Sequence, residues 1–77
     1  MDIKNLIPMA NRIAQFFSAQ PREDEQLTGI VEHIRLFWAP DMRASLVDYV
    51  NLLSKEGSKT DLDPLVIKAV RSADGAL

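Results

Sequence analysis

The stretch HIRLFWAPDMR, which runs from His33 to Arg43, decides the fold. It contains the only histidine and the only tryptophan of the 77 residues. The residue before a proline avoids helical backbone angles, whereas proline itself fits the first position of a helix. The stretch therefore predicts that one helix ends near Phe37 and that the next begins at Pro40, with a very short corner between them.

Apolar residues on both sides of this corner recur at helical spacing, and no run alternates with the period of a strand. They predict helices at about residues 3–18, 23–37, 40–55 and 64–72, with a linker over residues 59–62. We therefore expect an all-α fold, a small three- to four-helix bundle with a tight helix-Pro-helix corner. At this length we expect a single helical domain over residues 1–77.

Local signals mark several helix ends. Asp2 and Asp63 are placed to cap the first and fourth helices, and Gly57 to end the third. Pro8 leaves two possibilities open, a kink at that residue or a first helix that begins at Ile7 or Pro8.

The second helix has an apolar face that we expect to be core, with Phe37 among the core residues and Leu36 on the opposite side. Gly29 on the same helix permits a close approach of a neighbouring helix. The residues of the expected core face are Leu27, Ile30, Val31, Ile34, Phe37 and Trp38.

Composition excludes several classes of function. There is no cysteine and a single histidine, so we predict no catalytic, cofactor-binding or metal-ligating residue in this chain. The formal net charge is −2 and the basic residues are dispersed, which argues against a helix-turn-helix that binds DNA and against adsorption to a membrane. No apolar run has the length of an export signal or a membrane span, so we expect a cytoplasmic protein.

Docking to another protein is the function that the surplus of large apolar and arginine side chains favours. The same residues would otherwise serve to close a compact core, and the sequence leaves both readings open. The candidate interface residues are Phe16, His33, Arg35, Leu36, Trp38, Pro40, Met42 and Arg43.

Two motifs carry a resemblance to a known family. The segments MANRIAQFF (Met9–Phe17) and HIRLFWAPDMR (His33–Arg43), followed by Leu46, resemble the delta subunit of the NAD-dependent, molybdenum-containing formate dehydrogenases. The similarity covers about Ile7 to Leu53 and is anchored by the string HIRxFWxPxMR. The family often has an acidic residue where Ala39 stands and a basic one where Asp41 stands, so this chain lacks that charge arrangement at the corner.

The resemblance implies a small accessory subunit of a cytoplasmic complex that oxidises formate and passes electrons to NAD+. In that family the larger subunits hold the molybdenum cofactor, iron-sulfur clusters and flavin. The chain would then contact these subunits, chiefly the catalytic one, and support its assembly, its stability or the maturation of its cofactor.

Three alternatives stay open from the residues alone. One is a maturation factor that binds the catalytic subunit only transiently. Another is a self-associating helical adaptor unrelated to formate, and a homodimer would equally hide the docking face of an isolated subunit. The third is a fragment of a DNA-binding repressor. This alternative predicts salt-sensitive binding to DNA, and we expect none.

Overall fold

Four helices form the architecture, and the structure, a computed structural model, describes residues 2–56, 59–73 and 75–77. The described residues contain no strand, so the predicted all-α bundle is confirmed. The predicted cap Gly57 lies outside the described residues. The helices are α1 (Ile3–Phe17), α2 (Glu23–Phe37), α3 (Pro40–Glu56) and α4 (Pro64–Ala73).

The first helix, α1, begins at Ile3, five residues before Pro8. The Asp2 side chain accepts a hydrogen bond from the backbone N–H of Lys4 at 3.0 Å and caps the start of α1. Pro8 therefore lies inside α1, and a start at Ile7 or Pro8 is wrong. Because Lys4 and Pro8 are both exposed, water can bond to the Lys4 carbonyl, whose usual helical donor proline lacks.

The core draws on all four helices. On α1 the buried residues Leu6, Ala10 and Ala14 are four apart, so they form one stripe whose small alanines let other helices approach closely. The helix α2 packs mainly against α4 and α1, whereas α3 packs against α1 and α4. The buried apolar residues are Leu6, Ala10, Ala14, Ile30, Ile34, Trp38, Leu46, Val50, Leu62, Val66, Ala69 and Val70.

The loop between α1 and α2 is held by one side chain of the second helix. The Gln26 amide donates to the carbonyl oxygen of Gln20 at 2.8 Å and to that of Ser18 at 3.3 Å. These bonds fix the carboxyl end of α1 relative to α2.

Residues 59–63, which precede α4, are anchored more firmly than is typical of the linker predicted over residues 59–62. The Tyr49 hydroxyl and the Thr60 hydroxyl form a hydrogen bond of 2.6 Å, and Thr60 also accepts from the backbone N–H of Leu62 at 3.1 Å. Leu62 itself is only 2% exposed and belongs to the core. The segment is therefore part of the packed structure, which its polar composition did not indicate.

Asn11 of α1 clamps the same connection from the other side. Its Nδ2 donates to the Asp61 carbonyl at 2.9 Å, and its Oδ1 accepts from the Asp63 N–H at 2.7 Å. The Asp63 side chain in turn accepts from the Leu65 N–H at 2.8 Å, so the predicted cap of α4 is confirmed. Both ends of one amide thus fix the start of α4 against α1.

We expect Asn11→Ala to lower the free energy of unfolding by about 1–3 kcal/mol, because it leaves the partly buried N–H of Asp63 without an acceptor. Urea unfolding followed by circular dichroism measures this change. The matched control is Gln15→Ala, which removes an exposed amide one turn along the same helix. Equal stability of the two variants would contradict the clamp.

Candidate docking surface

A continuous row of four aromatic rings crosses the surface from α1 to α2. Phe16 and Phe17 meet edge to face with ring centroids 5.0 Å apart. Phe17 lies 6.2 Å from His33, and His33 lies 4.8 Å from Phe37. All three separations fall in the range of favourable aromatic pairs. We call these four residues the aromatic ridge.

The inner and outer rings of the ridge differ in burial. Phe17 and His33 are half-buried, and the Phe17 ring lies against Gly29 of α2, where no side chain stands in its way. The close approach expected at Gly29 is thus present. Phe16 is 71% exposed and Phe37 is 72% exposed, so the two outer rings present their faces and edges to solvent.

The expectation that Phe37 belongs to the core is wrong. The chain leaves the helix directly after Phe37, and Trp38 adopts extended backbone angles, with φ −92° and ψ 142°. Its indole is 7% exposed and fills the core at the corner. Trp38 therefore occupies the interior at the end of α2, and Phe37 stays outside beside His33.

A shallow groove of about 380 Å³ runs along the ridge. Its lining is almost entirely apolar, and its charged member is Arg12 of α1. A groove of this size and chemistry suits an apolar side chain of a protein partner. The lining residues are Arg12, Ile13, Phe16, Phe17 and His33.

A second concavity lies at the corner between α2 and α3, next to the ridge. Its volume is about 420 Å³, and it is lined by Glu32, Arg35, Leu36 and Arg43. We call it the corner cleft. Leu36 is 76% exposed there, and the Nε atom of Arg43 is buried without a hydrogen-bond partner.

The structure divides the eight predicted interface residues into three groups. Phe16, Arg35, Leu36 and Pro40 are exposed, whereas His33, Met42 and Arg43 are half-buried. Trp38 is buried and offers little surface to a partner. The ridge unites Phe16 with His33, and the cleft unites Arg35, Leu36 and Arg43.

Among the described residues, no group of three or more His, Cys, Asp or Glu side chains is placed to hold a metal ion. None of the helices in that part of the chain is both long and apolar enough to cross a membrane.

A family model matches residues 5–70, a span that includes the whole ridge and the whole cleft. Its description is NADH-dependent formate dehydrogenase delta subunit FdsD. The chain belongs to this family. Searches of curated proteins and of solved structures found no significant match.

Membership of the delta-subunit family confirms the resemblance that the two sequence motifs indicated. Sequence reasoning nevertheless missed two of the four ridge residues, Phe17 and Phe37. The adjacent pair of phenylalanines that ends α1 was an available signal, because neighbouring helical positions point about 100° apart and one short face cannot bury both. Phe37 had a weaker signal, its position four residues after His33 on the same helix surface.

Proposed function

We propose that the chain is a non-catalytic accessory subunit of a cytoplasmic NAD-dependent formate dehydrogenase. In this proposal it docks on the larger, catalytic subunit through the aromatic ridge and the adjoining Leu36. The role is to support the assembly or stability of that subunit, or the maturation of its cofactor. Family membership and the exposed ridge support the proposal together.

The exposure of Phe16, Leu36 and Phe37 is the observation that carries the docking role. Each keeps more than 70% of its surface in water, on a chain whose total accessible area is 4975 Å². Exposed apolar patches of this kind mark interaction sites, and large aromatic residues dominate the energetics of interfaces. A standard interface takes about 800 Å² from each partner, roughly a sixth of this surface.

The non-catalytic part of the proposal rests on the chemistry of the side chains. The chain has no cysteine to bind an iron-sulfur cluster, and its one histidine lies between two phenylalanine rings. Formate oxidation with transfer of electrons to NAD+ needs redox cofactors, which the family resemblance assigns to the larger subunits. The ridge histidine fits a packing role within an apolar surface.

The test is co-expression of a tagged chain with the larger subunits. We expect Phe16→Ser combined with Phe37→Ser to reduce their recovery at least about tenfold, because burial of each ring contributes up to about 3 kcal/mol. The control Leu52→Ser removes a side chain that is 50% exposed on α3, away from the ridge, and we expect full recovery. Circular dichroism should find all variants folded. Full recovery by the ridge variant would contradict the docking site.

The same eluate distinguishes the possible accessory roles. Formate-dependent NAD+ reduction that co-elutes with the chain would support a structural subunit. Larger subunits without this activity would favour a maturation factor that binds before the cofactor is complete.

A second copy of the chain is the competing occupant of the ridge. In that case the isolated protein would elute in gel filtration near twice its mass of 8.6 kDa, and no larger subunit would be captured. The ridge variant would then elute as a monomer.

A further inference from the structure

The corner cleft brings together two guanidinium groups that have no hydrogen-bond or ion-pair partner among the described residues. Arg35 lies in the last turn of α2, and Arg43 lies in the first turn of α3. Neither side chain makes a hydrogen bond or an ion pair within the described part of the chain. Two other arginines behave differently, since Arg22 pairs with Asp24 at 3.1 Å and Arg71 donates to the Ser54 hydroxyl at 2.6 Å.

The Nε atom of Arg43 makes this lack of a partner costly. It is the one side-chain nitrogen or oxygen atom, among the described residues, that is buried without a hydrogen bond. Buried donors are nearly always paired in native proteins, because an unpaired donor loses its bonds to water without replacement. The orphaned donor indicates that the cleft is incomplete without an acceptor from outside the chain.

We propose that the corner cleft receives one carboxylate of the larger subunit, an aspartate or glutamate side chain next to an apolar residue that covers Leu36. This inference rests on the proposed function, because it names the chemistry of the partner at the same docking surface. The fork of guanidinium N–H groups matches the two oxygens of a carboxylate. Leu36 supplies the apolar contact beside it.

The charge of the cleft favours a single carboxylate over a phosphate. Two guanidinium groups and the Glu32 carboxylate leave one positive charge, since 2 − 1 = 1. One carboxylate neutralises it, whereas a phosphate dianion would leave an excess negative charge beside Glu32. The site therefore fits an acidic side chain of a protein.

The cleft adjoins the ridge on α2, so that one partner surface could cover both. Leu36 directly precedes the ridge residue Phe37 and follows the ridge residue His33 by three positions on the same helix. Residues three apart are neighbours on a helix surface. An apolar side chain of the partner would fill the ridge groove while the carboxylate enters the cleft.

The test measures the Kd of this chain for the formate dehydrogenase complex prepared without it, at about 50 and about 300 mM salt. We expect Arg35→Gln combined with Arg43→Gln to weaken binding roughly 10- to 100-fold at low salt and to reduce the salt dependence. The control Arg22→Gln combined with Lys68→Gln removes two positive charges from exposed ion pairs elsewhere. We expect less than about a threefold effect from it.

A loss of folding is separated from a loss of binding by urea unfolding. The corner variant should be about as stable as the original protein, because neither arginine makes a hydrogen bond or an ion pair within the described residues that glutamine would remove. Arg35→Gln alone, at an exposed position, provides a second variant that cannot disturb the core. It too should weaken binding at low salt.

The outcomes distinguish this inference from the function on which it rests. If the corner variant binds as tightly as the control while the ridge variant does not bind, docking stands and the carboxylate site is overturned. If the unaltered chain binds neither the complex nor the catalytic subunit that lacks its cofactor, both are overturned. Weakening that is confined to the corner and ridge variants supports both.

Discussion

Trp38→Ala is expected to lower the free energy of unfolding by about 3–5 kcal/mol, the usual cost of deleting a buried aromatic side chain. A domain of this size has a total stability of about 4–12 kcal/mol, so the variant should lose between about a quarter and all of it. Phe37→Ala, one residue earlier, is expected to cost about 1 kcal/mol or less. Its ring is mostly exposed, and its contact with His33 is the main interaction lost.

Urea unfolding followed by far-ultraviolet circular dichroism measures both variants, because Trp38→Ala has no tryptophan left for fluorescence. The free energy of unfolding from the urea midpoint should fall several times as far for Trp38→Ala as for Phe37→Ala. Among the folded molecules, Phe37→Ala should bind the larger subunits more weakly than Trp38→Ala, since Phe37 belongs to the ridge. Similar destabilisation by the two substitutions would mean that Phe37 is also part of the core.

The contrast between these neighbours defines what the sequence could predict at the corner. Pro40 and the apolar spacing act locally, so they located the helix ends to within one residue. Periodicity also assigned Phe37 and Trp38 together to the core face. That rule holds only while the backbone is helical, and Trp38 is the first residue beyond α2. The departure from helical angles put one ring inside and left the other outside.

The remaining differences come from contacts between residues distant in the chain. Asn11 bonds to residues 50 and 52 positions later, and no local pattern marks an asparagine for such a role. The aromatic ridge likewise depends on where α1 crosses α2. Sequence analysis named Phe16 and His33 as interface residues, but their connection through Phe17 needs the approach of that ring to Gly29.

Gly29→Val is expected to lower the free energy of unfolding by about 1–3 kcal/mol. The Phe17 ring occupies the space into which a Cβ atom at position 29 would project, and Phe17 Cε1 would be only 2.5 Å from it. Overpacking of this kind typically costs about 1–3 kcal/mol, whereas valine gains only a few tenths over glycine in helix propensity. The clash therefore exceeds the gain. Displacement of the ring should also break the aromatic ridge and weaken binding to the larger subunits.

A double-mutant cycle with Phe17→Ala isolates the contact. In that background the ring is gone, so Gly29→Val should change the free energy of unfolding by less than about 0.5 kcal/mol, in the stabilising direction of the small propensity gain. Thr28→Val, at the adjacent exposed position of α2, controls for a valine in this helix. If Gly29→Val costs the same with and without Phe17, the penalty arises within α2 itself. The position of Phe17 in the ridge would then not depend on the absence of a side chain at Gly29.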